Sequence, residues 1–514
     1  ADPAQMADDY NTINLNVGVV NATVDSTTHI TSADGRLDVS RGVTAQGSGA
    51  ENVIDMGKGT VDIHRSDSGV IAADGGKNTI SGGDVTVTGT GKGYGKGPDC
   101  GYGYGMSAYG GGSSSITTTE SGSVYVYGEG YGYGDGYGNS TGYGGAGALG
   151  YGMSATDGSN SITTESGIVI VSGDGYGTGY GYSHGHSNAE GHGMYAATED
   201  GSNSITTESG GVYVYSHGYG YGNGNGNGSS TSTSTGYGDA NAYGMLALGS
   251  NSITTGSGSV QVQGNAYGYG AGNGPGYSHG YGYGNGNGMV AAAEDGSNSI
   301  TTGSGSVYVQ GYGYGYGYGD GTGSSSGDGY GAGMLAYDGS NSISTESGSV
   351  NVYGNGNGSG AGTGAGNGTN RGEGYGMATY GGSNSITTES GSVLVSGEGY
   401  GYGYGAGNGT NRGDGYGMQA MYSGSNNIST ESGGVTVGGY GYGDGTDSHG
   451  YGMHARFSGS NNEIKTAGGS VIVTGASASD GDGYGMAATN DGVNTIESTS
   501  GSPLTVTITA TAEA

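Results

Sequence analysis

The sequence predicts an all-β protein, a parallel β-solenoid of about twelve coils with stacked, extended Gly-Tyr-rich arms. Three observations predict it: one phrase recurs along the chain, β-branched residues alternate with polar ones inside that phrase, and 131 of the 514 residues are Gly. Because Gly adds no side chain to a core, a compact multilayer domain is hard to build from this composition. Stacked copies of a small unit bury apolar residues that a single unit cannot.

The recurring phrase is "GSNSITTESGSV", and "GYGM" stands shortly before it. Residues 69–89 carry the phrase with Val70 in the Met position, and residues 42–63 carry a looser copy. The mean spacing of the Met, (486 − 106)/9, is about 42 residues. The Met of the phrase are Met106, Met153, Met194, Met245, Met289, Met334, Met377, Met418, Met453 and Met486.

Each unit has a constant half that predicts three short strands. In one unit these are 153–155, 161–164 and 168–171, with turns expected at 157–160 and 165–167. Alternating β-branched residues are typical of strands, and Gly, Asn, Asp and Ser at fixed offsets are typical of turns. Stacking then places Val on Val, Ile on Ile and Met on Met, with an Asn ladder at one turn. At ~4.8 Å per coil, twelve coils give a rod about 60 Å long.

The variable half alternates Gly and Tyr. This alternation puts Tyr on one face of an extended strand and only hydrogen on the other. Two Gly faces can approach more closely than the usual ~10 Å between sheets. The pattern therefore predicts flat arms that run out and back, stacked coil upon coil with Tyr ladders; a disordered Gly-rich loop is the alternative.

The two ends differ from the middle, so we divide the chain into four parts. Residues 1–41 and 497–514 are each a terminal strand that caps the solenoid or joins one subunit to the next. Residues 42–100 are coils with short loops, and residues 101–496 are coils with arms. An exposed alternating strand is a template for strand addition. The predicted assembly residues are Ile13, Leu15, Val17, Val19, Leu504, Val506 and Ile508.

The net charge of −32 excludes partners that need basic groups, namely nucleic acid and anionic membrane surfaces. No apolar run of about 20 residues exists, so no membrane span is expected. The first residues, Ala1 to Gln5, fit a start left by removal of an export signal. Cys100 is a buried thiol or an intermolecular cross-link.

Acidic residues recur at two turn positions. Solvated side chains are one interpretation, and bridging by Ca²⁺ or another hard cation through carboxylate oxygens is the other. The candidate metal ligands are Glu120, Glu165, Glu208, Glu346, Glu389, Glu431, Asp157, Asp200, Asp295 and Asp338.

Sequons and His also recur in the arms. N-x-S/T sequons predict glycosylation, although chance produces them readily in this composition. His184, His186 and His192 cluster in one arm, and we expect them to be exposed loop residues rather than metal ligands. The sequon residues are Asn21, Asn139, Asn227, Asn357, Asn367 and Asn408.

The constant half resembles the passenger regions of bacterial autotransporter adhesins and related secreted β-solenoids. The resemblance rests on the segment "GVIAADGGKNTISGGDVTVTG" and on the repeated phrase "GSNSITTESGSV". It covers most of the chain between residues 42 and 496. The resemblance implies export, a secreted or cell-surface location, and an adhesive or structural role. Two departures from that family are expected: the sequence predicts no C-terminal membrane barrel, and its Gly-Tyr arms resemble silks.

The sequence therefore predicts a structural subunit of an extracellular filament, fibre or sheath whose partner is itself. The alternative is a cell-surface adhesin whose Tyr/Ser/Thr-rich arms bind glycans or surfaces. No catalytic constellation or cofactor motif stands out from the repeat, so an enzyme is not expected.

Overall fold

The computed structural model of the protein describes residues 13–17, 19–95, 99–119, 121–135, 143–181, 184–198, 200–225, 233–273, 277–292, 296–320, 324–337, 339–362, 369–405, 410–422, 424–443, 448–457, 460–477, 482–489, 493–499 and 504–512. Every regular element in these ranges is a β-strand. None of the described ranges holds a helix long and apolar enough to cross a membrane.

Forty strands follow one another within the described ranges. The first twelve are β1 (Ile13–Val17), β2 (Val20–Ala22), β3 (Thr27–Thr31), β4 (Gly35–Val39), β5 (Val43–Gln46), β6 (Glu51–Asp55), β7 (Thr60–Arg65), β8 (Ser68–Ala73), β9 (Lys77–Gly82), β10 (Val85–Gly95), β11 (Asp99–Tyr109) and β12 (Ser113–Thr118). The next fifteen are β13 (Val124–Asp135), β14 (Tyr143–Thr156), β15 (Ser159–Thr164), β16 (Val169–Gly181), β17 (His184–Ala196), β18 (Ser202–Thr207), β19 (Val212–Asn225), β20 (Thr233–Ala247), β21 (Ser250–Thr255), β22 (Val260–Asn273), β23 (Tyr277–Ala291), β24 (Ser297–Thr302), β25 (Val307–Gly319), β26 (Ser325–Tyr337) and β27 (Ser340–Thr345). The last thirteen are β28 (Val350–Gly362), β29 (Thr369–Tyr380), β30 (Ser383–Thr388), β31 (Val393–Gly405), β32 (Thr410–Met421), β33 (Ser425–Thr430), β34 (Val435–Gly443), β35 (His449–Arg456), β36 (Asn461–Thr466), β37 (Ser470–Ser477), β38 (Gly483–Ala488), β39 (Asn494–Ser498) and β40 (Thr505–Ala512).

The strands form three parallel sheets, and every third strand belongs to the same sheet. Sheet A runs β1, β4, β7 and so on to β40 and has 14 strands; sheet B (β2 to β38) and sheet C (β3 to β39) have 13 each. Three successive strands make one coil, which confirms the predicted parallel β-solenoid. The coils number about thirteen rather than twelve, because β1 to β3 form a coil of their own ahead of the first recognisable repeat.

The apolar core lies between the three sheets. Sheet A contributes Val124 and Val126, sheet B contributes Met153, and sheet C contributes Ile162, all of them essentially inaccessible to solvent. The same positions pair in register from coil to coil, as where Ile162 lies beside Ile205. Identical side chains therefore pack on one another along the axis, as the repeat predicts.

The turn between sheets B and C is shorter than predicted. Asp157 adopts a positive φ of 52°, a conformation that Asp tolerates better than most residues. β15 begins two residues later, at Ser159, so Asn160 lies inside a strand and not in a turn. The extended backbone continues this far because each residue of β15 has a register partner in β18.

Beyond the core, sheets A and B continue as the predicted arms and lie face to face. A Cβ added to Gly128, Gly130 or Gly132 would overlap backbone carbonyl groups of β14. The two Gly faces therefore pack backbone against backbone, at a distance that no other residue type permits. Among the described residues, the arms are ordered and stacked, which confirms the predicted arms and not the alternative of a disordered Gly-rich loop.

Candidate functional site

Tyr side chains form ladders on the outer face of each arm sheet. In sheet A the rings of Tyr131, Tyr176, Tyr219 and Tyr267 stack with successive centroid distances of 5.1, 5.2 and 5.0 Å. The register sets this spacing, because Tyr131 pairs with Tyr176 and Tyr176 with Tyr219. The ladders predicted from the Gly/Tyr alternation are therefore present.

Sheet B carries a second ladder at the base of the arms. Tyr375, Tyr416, Tyr451 and Tyr484 stack with centroid distances of 5.0, 5.2 and 5.2 Å. Tyr375 and Tyr416 are buried, and burial raises the pKa of both phenols above the usual value. Each ring covers the face of its neighbour, so the ring faces inside this ladder are closed to solvent.

His192 occupies an aromatic ladder, which corrects the expectation that it is an exposed loop residue. His192 is buried between Tyr151 and Tyr243, with centroid distances of 4.7 and 5.0 Å. Burial lowers the pKa of His192. His454 stacks on Tyr451 at 4.4 Å, and burial lowers the pKa of His454 to about 4. The sequence contains a signal that could have predicted the buried position of His192: residues 191–194 read "GHGM", so His stands in the place of the Tyr of "GYGM".

The predicted Asn ladder is present, but it lies inside the core along sheet C. Most of the buried amide nitrogens donate to the carbonyl oxygen of the next side chain, which satisfies polar groups that would otherwise be costly to bury. The ladder is interrupted between Asn251 and Asn298, where Asn251 Nδ2 and Asn298 Oδ1 have no hydrogen-bond partner among the described residues. The hydrogen-bonded pairs are Asn160–Asn203 (3.1 Å), Asn203–Asn251 (3.4 Å), Asn298–Asn341 (3.2 Å), Asn341–Asn384 (3.0 Å), Asn384–Asn426 (2.9 Å), Asn426–Asn462 (2.8 Å) and Asn462–Asn494 (2.8 Å).

The Glu row lies on the turns that lead from sheet C to sheet A. Glu389 donates its backbone N–H to the carbonyl of Glu346 (3.0 Å), and Glu431 donates to Glu389 (3.1 Å). These three Glu line one shallow groove with Ser347, Ser390 and Ser432. Glu165 and Glu208 form an earlier part of the row, joined by a 3.0 Å backbone bond.

The Asp row lies on the turns between sheets B and C, where Asp157 and Asp200 are described. No three Asp, Glu, His or Cys side chains of the described ranges converge on a point that could hold a metal ion. Cation binding by these rows stays a prediction. Glu120, Asp295 and Asp338 lie outside the described residues.

Two sequons can be placed. Asn21 is exposed in β2, and Asn357 is partly exposed on the outer face of β28. Asn139, Asn227, Asn367 and Asn408 lie outside the described residues. Glycosylation stays a prediction. Cys100 is exposed, so the buried-thiol alternative is wrong.

The two ends of the described part of the solenoid leave core positions uncovered by other described residues. Val506 and Ile508 pair with the fully buried Val471 and Val473, yet they are 42% and 53% exposed. The cause is that β40 extends sheet A one strand past the last strands of sheets B and C. Leu504 is partly buried against the core.

At the opposite end, Leu15 and Val17 pair with the buried Leu37 and Val39 and are only partly buried themselves. Val19 is 51% exposed. Ile13 begins β1, but its side chain is outside the described set. Both ends thus expose parts of the ladders that the inner coils bury.

No protein-family model and no curated protein matches the chain. Solved structures with some similarity include the L. reuters 100-23 SRRP, at 10% identity over 93% of this chain and 90% of that chain, with a TM-score of 0.24. The Streptococcus pneumoniae surface protein and adhesin PfbA gives 7% identity over 92% and 91%, with a TM-score of 0.24. The Siphovirus 9NA tailspike receptor binding domain gives 9% identity over 94% and 74%, with a TM-score of 0.20. Scores this low carry no argument about function, so the chain is defined by its own fold: a three-sheet parallel β-solenoid with Gly-Tyr arms.

Proposed function

We propose that this protein is a structural subunit of an extracellular filament, fibre or sheath, in which copies join head to tail by stacking their coils. A solenoid is a one-dimensional stack, so a further coil adds the same backbone hydrogen bonds and the same side-chain ladders as the coils within the chain. The partner in this proposal is a second copy of the chain.

The observation that carries the proposal is the open coil at the C-terminal end of the described chain. Val506 and Ile508 occupy ladder positions, but no described strand of sheet B or sheet C lies opposite them. Fully burying a Val or Ile is worth about 1.5–3 kcal/mol per side chain. An incoming copy whose first strand, β1, lies against β40 in sheet A gains a row of backbone hydrogen bonds and covers part of this apolar surface.

The N-terminal end offers a complementary surface. Leu15 and Val17 are partly buried and continue the ladder of Leu37 and Val39. Seven of the 11 basic residues also lie within the first 96 positions, so this end is the less acidic one.

The geometry of the Tyr ladders favours a structural role over the adhesin alternative. A sugar that binds an aromatic side chain stacks on the ring face, and in the ladders most faces are covered by the ring of the next coil. Tyr416, for example, lies between Tyr375 and Tyr451 at 5.0 and 5.2 Å. The extracellular location rests on the resemblance to secreted β-solenoids.

Electron microscopy of purified protein tests the proposal with a matched pair of variants. Val506→Asp with Ile508→Asp places charge on the core side of β40, whereas Thr505→Asp with Thr507→Asp places the same charge on its outer side. We expect long fibres with a ~4.8 Å axial repeat from the wild type and the outer-side control. The core-side variant should give short single rods.

Two results would overturn the proposal. One is a wild type that stays as single rods at every protein concentration and salt concentration tested. The other is a core-side variant that forms fibres as long as those of the control, because the uncovered ladder would then play no part in assembly. Rods that bind an isolated polysaccharide instead would favour the adhesin alternative.

A further inference from the structure

The outer face of sheet C is a regular array of short polar side chains. Eight consecutive strands, from β12 to β33, present three outward residues each, in the pattern Ser-x-Ser-x-Thr with few changes. All these positions are partly or fully exposed. The central row consists of Ser115, Ser161, Ser204, Ser252, Ser299, Ser342, Ser385 and Asn427.

This face carries no Asp, Glu, Lys or Arg over its eight strands, although the whole chain has a net charge of −32. Charged residues are present on the outer face of sheet C in the strands before and after these eight. Lys77 pairs with Glu51 at 3.6 Å before the array, and Lys465 pairs with Glu463 at 2.8 Å after it. The outer faces of sheets A and B, in contrast, carry acidic residues such as Asp174 and Glu190 within the same coils.

We propose that this hydroxyl face is a pairing surface for the same face of a second copy, so that two solenoids associate side by side. The proposal concerns lateral contact and is independent of how copies join end to end. Two chains of like charge repel least where neither carries charge, which selects sheet C over the other two faces. Small, regularly spaced side chains let two sheets approach closely and interlock, as in dry sheet-to-sheet interfaces.

The size of the face suits a stable contact. Eight strands at ~4.8 Å and six residues at ~3.3 Å give a rectangle of about 38 by 20 Å, close to 760 Å² on each partner. Stable protein interfaces bury about 800 Å² per partner. A two-fold arrangement also brings each row of one copy against a row of the same chemistry, as an isologous contact requires.

The acidic turns border this face on both long edges and oppose pairing at low salt. Glu165 and Glu208 lie on the edge toward sheet A, and Asp157 and Asp200 lie on the edge toward sheet B. Across two paired copies these rows face each other. Their repulsion is screened once the Debye length falls to about 8 Å at 0.15 M salt, so pairing should strengthen as salt rises.

Mass per unit length tests the proposal, because it separates side-by-side pairing from end-to-end growth. We expect dark-field scanning transmission electron microscopy in 0.5 M NaCl to give twice the mass per length of one solenoid. Ser252→Glu with Ser299→Glu puts two adjacent charges on the face and should return the value to that of one solenoid. The matched control is Gln263→Glu with Gln310→Glu, an adjacent pair on the outer side of sheet A, which should leave the twofold value unchanged.

Circular dichroism establishes that each variant is folded, and the single change Thr254→Glu in the exposed row serves if the double variant does not fold. A single-solenoid mass per length for the wild type at every salt concentration would overturn the pairing, whether or not the protein forms fibres. A twofold mass per unit length in every variant would also overturn the pairing. Binding of the monomer to insoluble neutral polysaccharide through this face, lost in the Ser variant, would assign the face to a different partner and would also overturn it.

Discussion

Gly439 of sheet A lies directly against the backbone of Tyr451 in sheet B, so that a Cβ on Gly439 would overlap the Tyr451 carbonyl group. The neighbouring Gly438 points the other way, and the nearest atom to its added Cβ is 4.0 Å distant. Two adjacent Gly of one strand thus have opposite surroundings.

Replacing Gly439 with Ala should therefore destabilise the protein, whereas Gly438→Ala should not. Overlap with backbone atoms cannot be relieved by a side-chain rotation, and overpacking of this kind costs about 1–3 kcal/mol. Urea unfolding of both variants measures the difference in the free energy of unfolding. Equal stability of the two variants would show that the arms are not packed Gly face to Gly face.

The buried Asn ladder should be a stabilising element of sheet C. Asn426 accepts from Asn384 at 2.9 Å and donates to Asn462 at 2.8 Å, while the next residue, Asn427, points outward and donates to Ser425 at 3.1 Å. Asn426→Ala leaves buried polar partners unsatisfied, which costs about 1–3 kcal/mol. Asn427→Ala should change the free energy of unfolding by less than about 0.5 kcal/mol. A smaller effect at 426 than at 427 would contradict the ladder.

Acid should weaken the fold through His454. Burial holds the pKa of His454 at about 4, below the ordinary value of the unfolded chain. The unfolded state therefore binds more protons, so this contribution is fully present above about pH 6.5 and is lost as the pH falls toward 4. The variant His454→Gln repeats the residue at the preceding ladder position, Gln419, and should lack this part of the pH dependence. Identical unfolding curves for both proteins between pH 7 and 4 would contradict it.

Alkali should unfold the Tyr-bearing arms cooperatively. Burial raises the pKa of Tyr283 and of Tyr312 to about 12. Because these folded-state values lie above the unfolded value near 10, the stabilisation is complete below pH 10 and is lost as the pH rises toward 12. Tyrosinate absorbance should therefore rise in one steep step together with the loss of strand circular dichroism. A gradual titration centred near pH 10 with the fold intact would contradict this expectation.

The Glu row offers a test of the predicted cation binding. Glu346, Glu389 and Glu431 line one groove on successive coils, so Ca²⁺ should raise Tm more than NaCl of equal ionic strength does. Glu389→Gln should remove most of the difference, and Glu129→Gln, in an arm, should not. Equal shifts with Ca²⁺ and NaCl would assign the row to solvated side chains.

Some features were available from the residues alone because they depend only on periodicity. The Ile162 ladder, the Met153 ladder and the opposing Gly and Tyr faces follow from a repeated phrase with a period of two inside it. The predicted ladder at Asn160 is confirmed, but its predicted position in a turn is wrong. Asn is common in turns, and a buried amide becomes favourable in a strand only because Asn160 stacks on Asn203.

The tertiary structure alone decided which positions are uncovered and which are enclosed. His192 resembles an exposed arm residue in the sequence, yet it is buried between Tyr151 and Tyr243 because the register of three separate coils brings their rings together. Val506 resembles any inward Val of sheet A, yet it is exposed because, among the described residues, no strands of sheets B and C lie opposite it. The sequence by itself determined the period, the strands and the identity of the ladders, whereas exposure depends on contacts between residues more than thirty positions apart, and only the folded stack specifies those.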